Sequence, residues 1–231
     1  MLVNRVFGVR KMGDLLRRGL PCLVFLMAGA ATSAAEILVP SQQPTIQAGI
    51  DAASDGDTVI VANGTYTGVG NRDIDFSGKA ITVRSAGGAA NCIIDCEGLG
   101  RGFYFHSNET AASILQGFTI TNGDSSVTGD PIYKYYGGGI LVKGTWYDDW
   151  CSPTISDCIL DGNTAPYAGG GISLDFSDSV ISNCVFVENT CTLSGGVGGG
   201  LHWFMGGRVI RGCSFLSNSA SYGGGADTRG W

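Results

Sequence analysis

Along most of this chain the apolar residues come in short alternating pairs, and the pairs return in one register. Ile93-Ile94-Asp95-Cys96, Leu115-Gln116-Gly117-Phe118, Ile155-Ser156-Asp157-Cys158, Ile181-Ser182-Asn183-Cys184 and Ile210-Arg211-Gly212-Cys213 superimpose on one another. The third position is always Asp, Gly or Asn, the residues that tolerate a left-handed backbone. One such residue between two short strands bends the chain sharply. The first and fourth residues then both point inward although they are three apart, which a continuous strand cannot achieve. Inward pairs follow the bend at Phe118/Ile120, Cys158/Leu160, Cys184/Phe186 and Cys213/Phe215. Asn163, Asn189 and Asn218 then open a turn, glycines follow, and another inward pair begins at Ile140/Val142, Ile172/Leu174 and Leu201/Trp203. Ile81/Val83 and Phe103/Phe105 hold that same place in the earlier copies, so the steps between pairs are 22, 37, 32 and 29 residues.

A repeat of this length, with three short strands and no helical periodicity, predicts an all-β parallel β-helix of three-strand coils. One coil cannot bury its apolar face alone, whereas stacked coils share a continuous core. Like residues then stack at the strand spacing of about 4.8 Å, giving cysteine, aliphatic and asparagine ladders. The glycine triplets read as architecture, letting the chain turn into the next strand without side-chain clashes. A phosphate cradle would need a helix after the glycines, and strands follow instead. At the front, "PTIQAGIDAASDGD" places Ile46, Ile50 and Ala53 on one helical face. A short capping helix there would shield the open edge of the first coil.

Residues 1–35 stand apart from this pattern. Arg5, Arg10, Lys11, Arg17 and Arg18 precede the apolar run "GLPCLVFLMAGAATSAA", which is the order of a secretory signal cleaved after Ala34 or Ala35. The run is short of the roughly 20 apolar residues a spanning helix needs, and no membrane span is expected after its removal. Taking the leader's five basic residues and Asp14 from 14 basic and 20 acidic leaves 9 and 19, a net charge of −10. Nucleic acid is therefore not an expected partner. Residues 36–231 suffice for one β-helix domain with a real core. Seven cysteines remain, an odd number with no CxxC pair and no zinc spacing, so no metal site is expected. No cofactor is expected either. Calcium stays open but is not indicated, since the nonapeptide GGxGxDxUx is absent.

The segments "IQAGIDAASDGDTVIVANGTYTG", "GKAITVRS", "IIDCEG", "RGFYFHSNE" and "GFTITNG" resemble the secreted right-handed parallel β-helix proteins of the pectin-lyase-like superfamily. The GGGI and FxxN elements (Gly169–Ile172, Phe186–Asn189, Phe215–Asn218) are similar to the repeats of polymorphic outer-membrane proteins. The resemblance covers nearly all of residues 36–231. It implies a right-handed coil and a secreted, cell-surface or outer-membrane-associated location. It leaves activity open, because the superfamily holds lyases, hydrolases and adhesins.

The resemblance also says where chemistry would sit: superfamily lyases bind sugar over the first strand of each coil, here the strand after the glycines. The two main insertions flank that strand, "DSSVTGDPIYKYY" at 124–136 and "KGTWYDDWCSP" at 143–153. They carry Tyr133, Tyr135, Tyr136, Trp146, Tyr147 and Trp150, rings that either stack on pyranose faces or pack on one another and pin the loops. In the same register Arg84, His106, Lys143 and Asp175 form one outward column. Thr82, Tyr104, Leu141, Ser173 and His202 form the next. A carbanion-forming lyase needs a cation for the uronate carboxylate and a base for the α-proton, and Arg84, His106 and Lys143 are the candidates. They are equally what a solvated strand face carries.

The paired Asp, Gly-His-Gly and Arg-Ile-Lys set of polygalacturonases is absent, as is the Asp and Arg motif of calcium pectate lyases. Two readings follow. One is a non-catalytic secreted or surface β-helix that displays turn loops to a polysaccharide, a cell-surface glycan or a protein. The other is a polysaccharide lyase or related glycan-cleaving enzyme. Gly223-Gly224-Gly225 opens a further coil that the sequence does not complete. The chain is thus expected to be the N-terminal part of a longer protein, or to close its open edge by self-association.

Overall fold

The computed structural model describes residues 33–145, 149–207 and 209–229. Trp146, Tyr147 and nearly all of the expected leader lie outside them. The described residues form long parallel sheets with few helices, the arrangement of an all-β parallel β-helix. Sheet I contains Glu36–Val39, Thr58–Val61, Thr82–Ser85, Ile114–Gln116, Thr154–Ser156, Val180–Ser182 and Val209–Arg211. Sheet II contains Gly64–Tyr66, Cys92–Asp95, Thr119–Thr121, Ile159–Asp161, Val185–Val187 and Ser214–Leu216. Sheet III, made of the strands after the glycines, contains Ile74–Asp75, Phe103–Phe105, Ile140–Lys143, Ile172–Asp175, Leu201–Phe204 and Ala226–Arg229. From Thr58 onward the chain visits I, II and III in turn.

The corner between sheets I and II is the predicted one-residue bend. Gly117, Asp157, Asn183 and Gly212 have φ between 54° and 79°, and the residue two before each and the residue after it point inward. Leu115, Phe118, Ile120, Ile155, Cys158, Leu160, Ile181, Cys184 and Phe186 are all fully buried. Ile210, Cys213 and Phe215 pack on the same core while partly exposed.

The first copy differs from its expected register. Ile93 pairs with Thr119 and Ile94 with Ile120, so Cys92, not Cys96, is level with Phe118. Here the corner is a longer loop carrying a 3₁₀ turn at Ala89–Asn91, and Cys96 is buried past the end of its strand. The stack therefore reads Cys92, Phe118, Cys158, Cys184, Cys213. All seven described cysteines are free thiols.

A second ladder holds the corner after sheet II. Asn163 Nδ2 donates to Ile120 O (2.9 Å) and to Asn189 Oδ1 (3.0 Å), while Asn189 Nδ2 donates to Leu160 O (2.8 Å) and Asn218 Oδ1 (2.9 Å). Asn163 and Asn189 each thus satisfy a backbone carbonyl of the preceding coil and link to the asparagine of the next.

The glycine triplets are packed as architecture requires. In Gly169–Gly171 the first residue has φ 61°, and a Cβ on the second or third would lie 2.6 or 2.5 Å from a carbonyl oxygen of the next rung. The helix Ile46–Ala52 is N-capped by Thr45 and lies against the earliest strands of sheets I and III. Lys79 Nζ closes its other end on the carbonyls of Ile50 and Ala53 (2.7 and 2.8 Å).

Candidate functional site

The outer face of sheet III is where the insertion at 124–136 folds back. Its anchor is Arg101, which is buried. The guanidinium donates to the carbonyls of Tyr136 (3.2 Å), Gly137 (3.0 Å) and Tyr133, and it sits 5.4 Å over the Tyr104 ring. Asp130 fixes the loop from the other side, its Oδ1 accepting from the N–H groups of Ile132 (3.0 Å) and Tyr133 (2.9 Å). A carboxylate accepting two backbone donors stays ionised more readily, and Asp130 titrates below the usual range despite some burial.

Between this insertion and the later rungs of sheet III lies a groove of about 330 Å³. Tyr133, Tyr136, Tyr167 and Phe204 supply aromatic walls, and Asp175, His202 and Arg229 supply polar groups. Tyr136 and Tyr167 meet edge to face at 6.0 Å, and Phe204 meets Phe176 likewise at 5.6 Å. Asp175 and Arg229 come from one ladder, in which Lys143 pairs with Asp175, Asp175 with Phe204, and Phe204 with Arg229. His202 stands two residues before Phe204, on the ladder of Ser173 and Asp227.

Burial, opposed by the nearby Lys143, raises Asp175 to about 7. His202 is pushed down to about 4 by burial against the pull of Asp227, so it is neutral at physiological pH. Its Nδ1 lies 3.4 Å from Asp227 Oδ2 but off the direction of a hydrogen bond. Ser173 Oγ on the adjacent rung is buried and also lacks a partner among the described residues.

The structure brings together only some of the expected residues. Tyr133 and Tyr136 line the groove, whereas Tyr135 and Trp150 face solvent outside it, each 38 % exposed. His106 follows Phe105 and is level with Lys143 on sheet III. Its ring lies tilted against Tyr104, centroids 4.1 Å apart, and Nε2 lies 3.3 Å from Asp75. Lys143 Nζ sits 3.9 Å over the Tyr133 ring.

Arg84 does not share their column. It belongs to sheet I, paired with Gln116, so the set Arg84, His106 and Lys143 is not one cluster. Thr82, expected one column over, is on sheet I as well. Tyr167, Phe204 and Arg229 were not expected at the site. Alignment on the glycine triplets would have pointed to their neighbourhood, since Tyr136, Ala168, Val197 and Tyr222 stack just before them.

Among the described residues no cluster of three or more His, Cys, Asp or Glu is placed to hold a metal ion, and no helix is long and apolar enough to cross a membrane. Comparison with protein-family models, curated proteins and solved structures gives no match.

Proposed function

We propose that this chain is a secreted or surface-displayed β-helix of the pectin-lyase-like kind that binds a carbohydrate chain in the groove on sheet III, with no catalytic role. The observation that carries the reading is the groove itself, where aromatic walls surround a few convergent polar groups, the usual composition of a small-molecule site. Aromatic rings offer flat apolar faces to the C–H side of a sugar, and Asp175 offers acceptors to its hydroxyls. A right-handed coil is part of the proposal, supported by the strong preference of parallel crossovers for that hand. Secretion rests on the leader pattern and on the resemblance of the repeats.

Affinity electrophoresis and calorimetry against a polysaccharide panel test the binding. Tyr133→Ala and Tyr136→Ala should each weaken binding by about tenfold, the loss of an aromatic anchor, at unchanged melting temperature. Undiminished binding in both variants would place the site elsewhere.

One observation favours a glycan-cleaving reading as well. Asp175, held near 7 in a cleft beside Lys143, is poised as general acid or base catalysis requires. Reducing-end and unsaturated-product assays on the same panel decide between binding and cleavage.

A further inference from the structure

We infer that the groove takes uncharged sugar units and rejects uronates, with Asp175 as the residue that enforces the choice. This rests on the carbohydrate reading and narrows it.

The groove offers little uncommitted positive charge. Every described cation near the groove already has a protein partner. Lys143 Nζ lies on the Tyr133 ring at 3.9 Å, and Lys134 Nζ lies 5.4 Å over Tyr135. Arg229 Nε donates to Asp227 at 2.8 Å. Arg101 is buried with its donors on the carbonyls of Tyr133, Tyr136 and Gly137. His106 faces Asp75, and His202 is held neutral by burial.

Asp175 is the opposite case. It lines the groove, yet no cation forms an ion pair with it among the described residues. Among the described residues, a uronate carboxylate entering here would meet no cation that lacks a protein partner. It would meet a carboxyl group of its own sign in a partly desolvated cleft, where like charges repel more strongly than in water. A neutral sugar brings no such charge, and its hydroxyls can donate to Asp175. The groove's volume of about 330 Å³ is at the low end for small-molecule sites, so a short stretch of chain is what it accommodates.

The selection should depend on pH. Burial sets Asp175 at about 7, and the groups facing it are Lys143 from the preceding rung, Arg229 and Asp227 from the later one, His202 beside it, and Tyr133, Tyr136 and Tyr167 from the turns. His202 titrates at about 4, and burial raises Tyr136 above its ordinary range. Between pH 5 and pH 8, Asp175 is thus the groove group expected to change charge.

The test measures binding of the full chain to size-matched neutral oligohexoses and oligouronates by calorimetry. At pH 8 the neutral series should bind at least about tenfold more tightly. At pH 5 the ratio should shrink by several-fold, because Asp175 takes up its proton while the uronates stay ionised. Asp175→Asn should show the smaller ratio at both pH values. Uronates binding as tightly as neutral oligomers at pH 8 would overturn this inference and leave the carbohydrate reading standing. A ratio unmoved by both pH and Asp175→Asn would remove Asp175 as the selector. Binding of neither series would overturn the carbohydrate reading and this inference with it.

Discussion

Asn189 shows how much one polar side chain holds in place. Its Oδ1 accepts from Asn163 N and Nδ2, both at 3.0 Å, and its Nδ2 serves Leu160 O and Asn218 Oδ1. Replacing it with Ala strands several buried groups at once, so Asn189→Ala should cost about 3–4 kcal/mol. Asn218→Ala, at the partly exposed end of the ladder, should cost less. Urea unfolding checks both, with a lower midpoint and an unchanged m-value. Asp175 gives a pH-dependent case. Its folded pKa of about 7 lies well above the ordinary aspartate value, so the folded state holds the proton more tightly. The stability this contributes is full below about pH 4 and is lost as pH rises through 7. Asp175→Asn should therefore gain stability relative to the parent between pH 4 and pH 8. The gain is on the order of 2 kcal/mol once partial exposure is allowed for, and melting curves across that range measure it.

The insertion at 124–136 is an element held largely through one side chain. Arg101→Met keeps much of the buried volume but removes the donors to the carbonyls of Tyr133, Tyr136 and Gly137. Hydrogen exchange at residues 130–137 should then speed up by at least about tenfold, while the strands at 154–161 keep their protection. Equal loss in both regions would make Arg101 a support of the whole stack. This element also marks where sequence reading succeeds and where it stops. Tyr133 and Tyr136 were legible because an aromatic-rich insertion interrupts a regular repeat. Tyr167, Phe204 and Arg229 were not, because turns of unequal length hide which residues become neighbours across rungs. Arg84 was misplaced for a related reason: Ile81/Val83 alternates just as Ile140/Val142 does, and alternation reports an inward face without saying of which sheet. Likewise "IIDC" mimics "ISDC", but its corner is a loop with a 3₁₀ turn, and the register shifts to Cys92.

At the scale of the whole molecule, the parallel stack was the most legible feature, since each strand pair repeats the same burial and only stacking can satisfy it. Such a stack has no long-range closure: each rung is held mainly by its two neighbours. The column of thiols passes through several of these rungs. Cys158 Sγ donates to Ser156 O at 3.2 Å and Cys184 Sγ to Ser182 O at 3.3 Å, both fully buried, whereas Cys213 is partly exposed. Burial pushes the Cys92 thiol up to about 12, and hydrogen bonds along the column raise Cys184 and Cys213 as well, so these have little thiolate at neutral pH. Cys158 is instead lowered by its hydrogen bond with Cys184, and its protection is its full burial. The column then behaves as a row of clocks, each started only when its own rung comes apart. With a soluble thiol reagent, Cys213 should be modified first, Cys184 next and Cys158 later, at rates that report the opening free energy rung by rung. Simultaneous modification of all three would mean that the stack opens as a single unit.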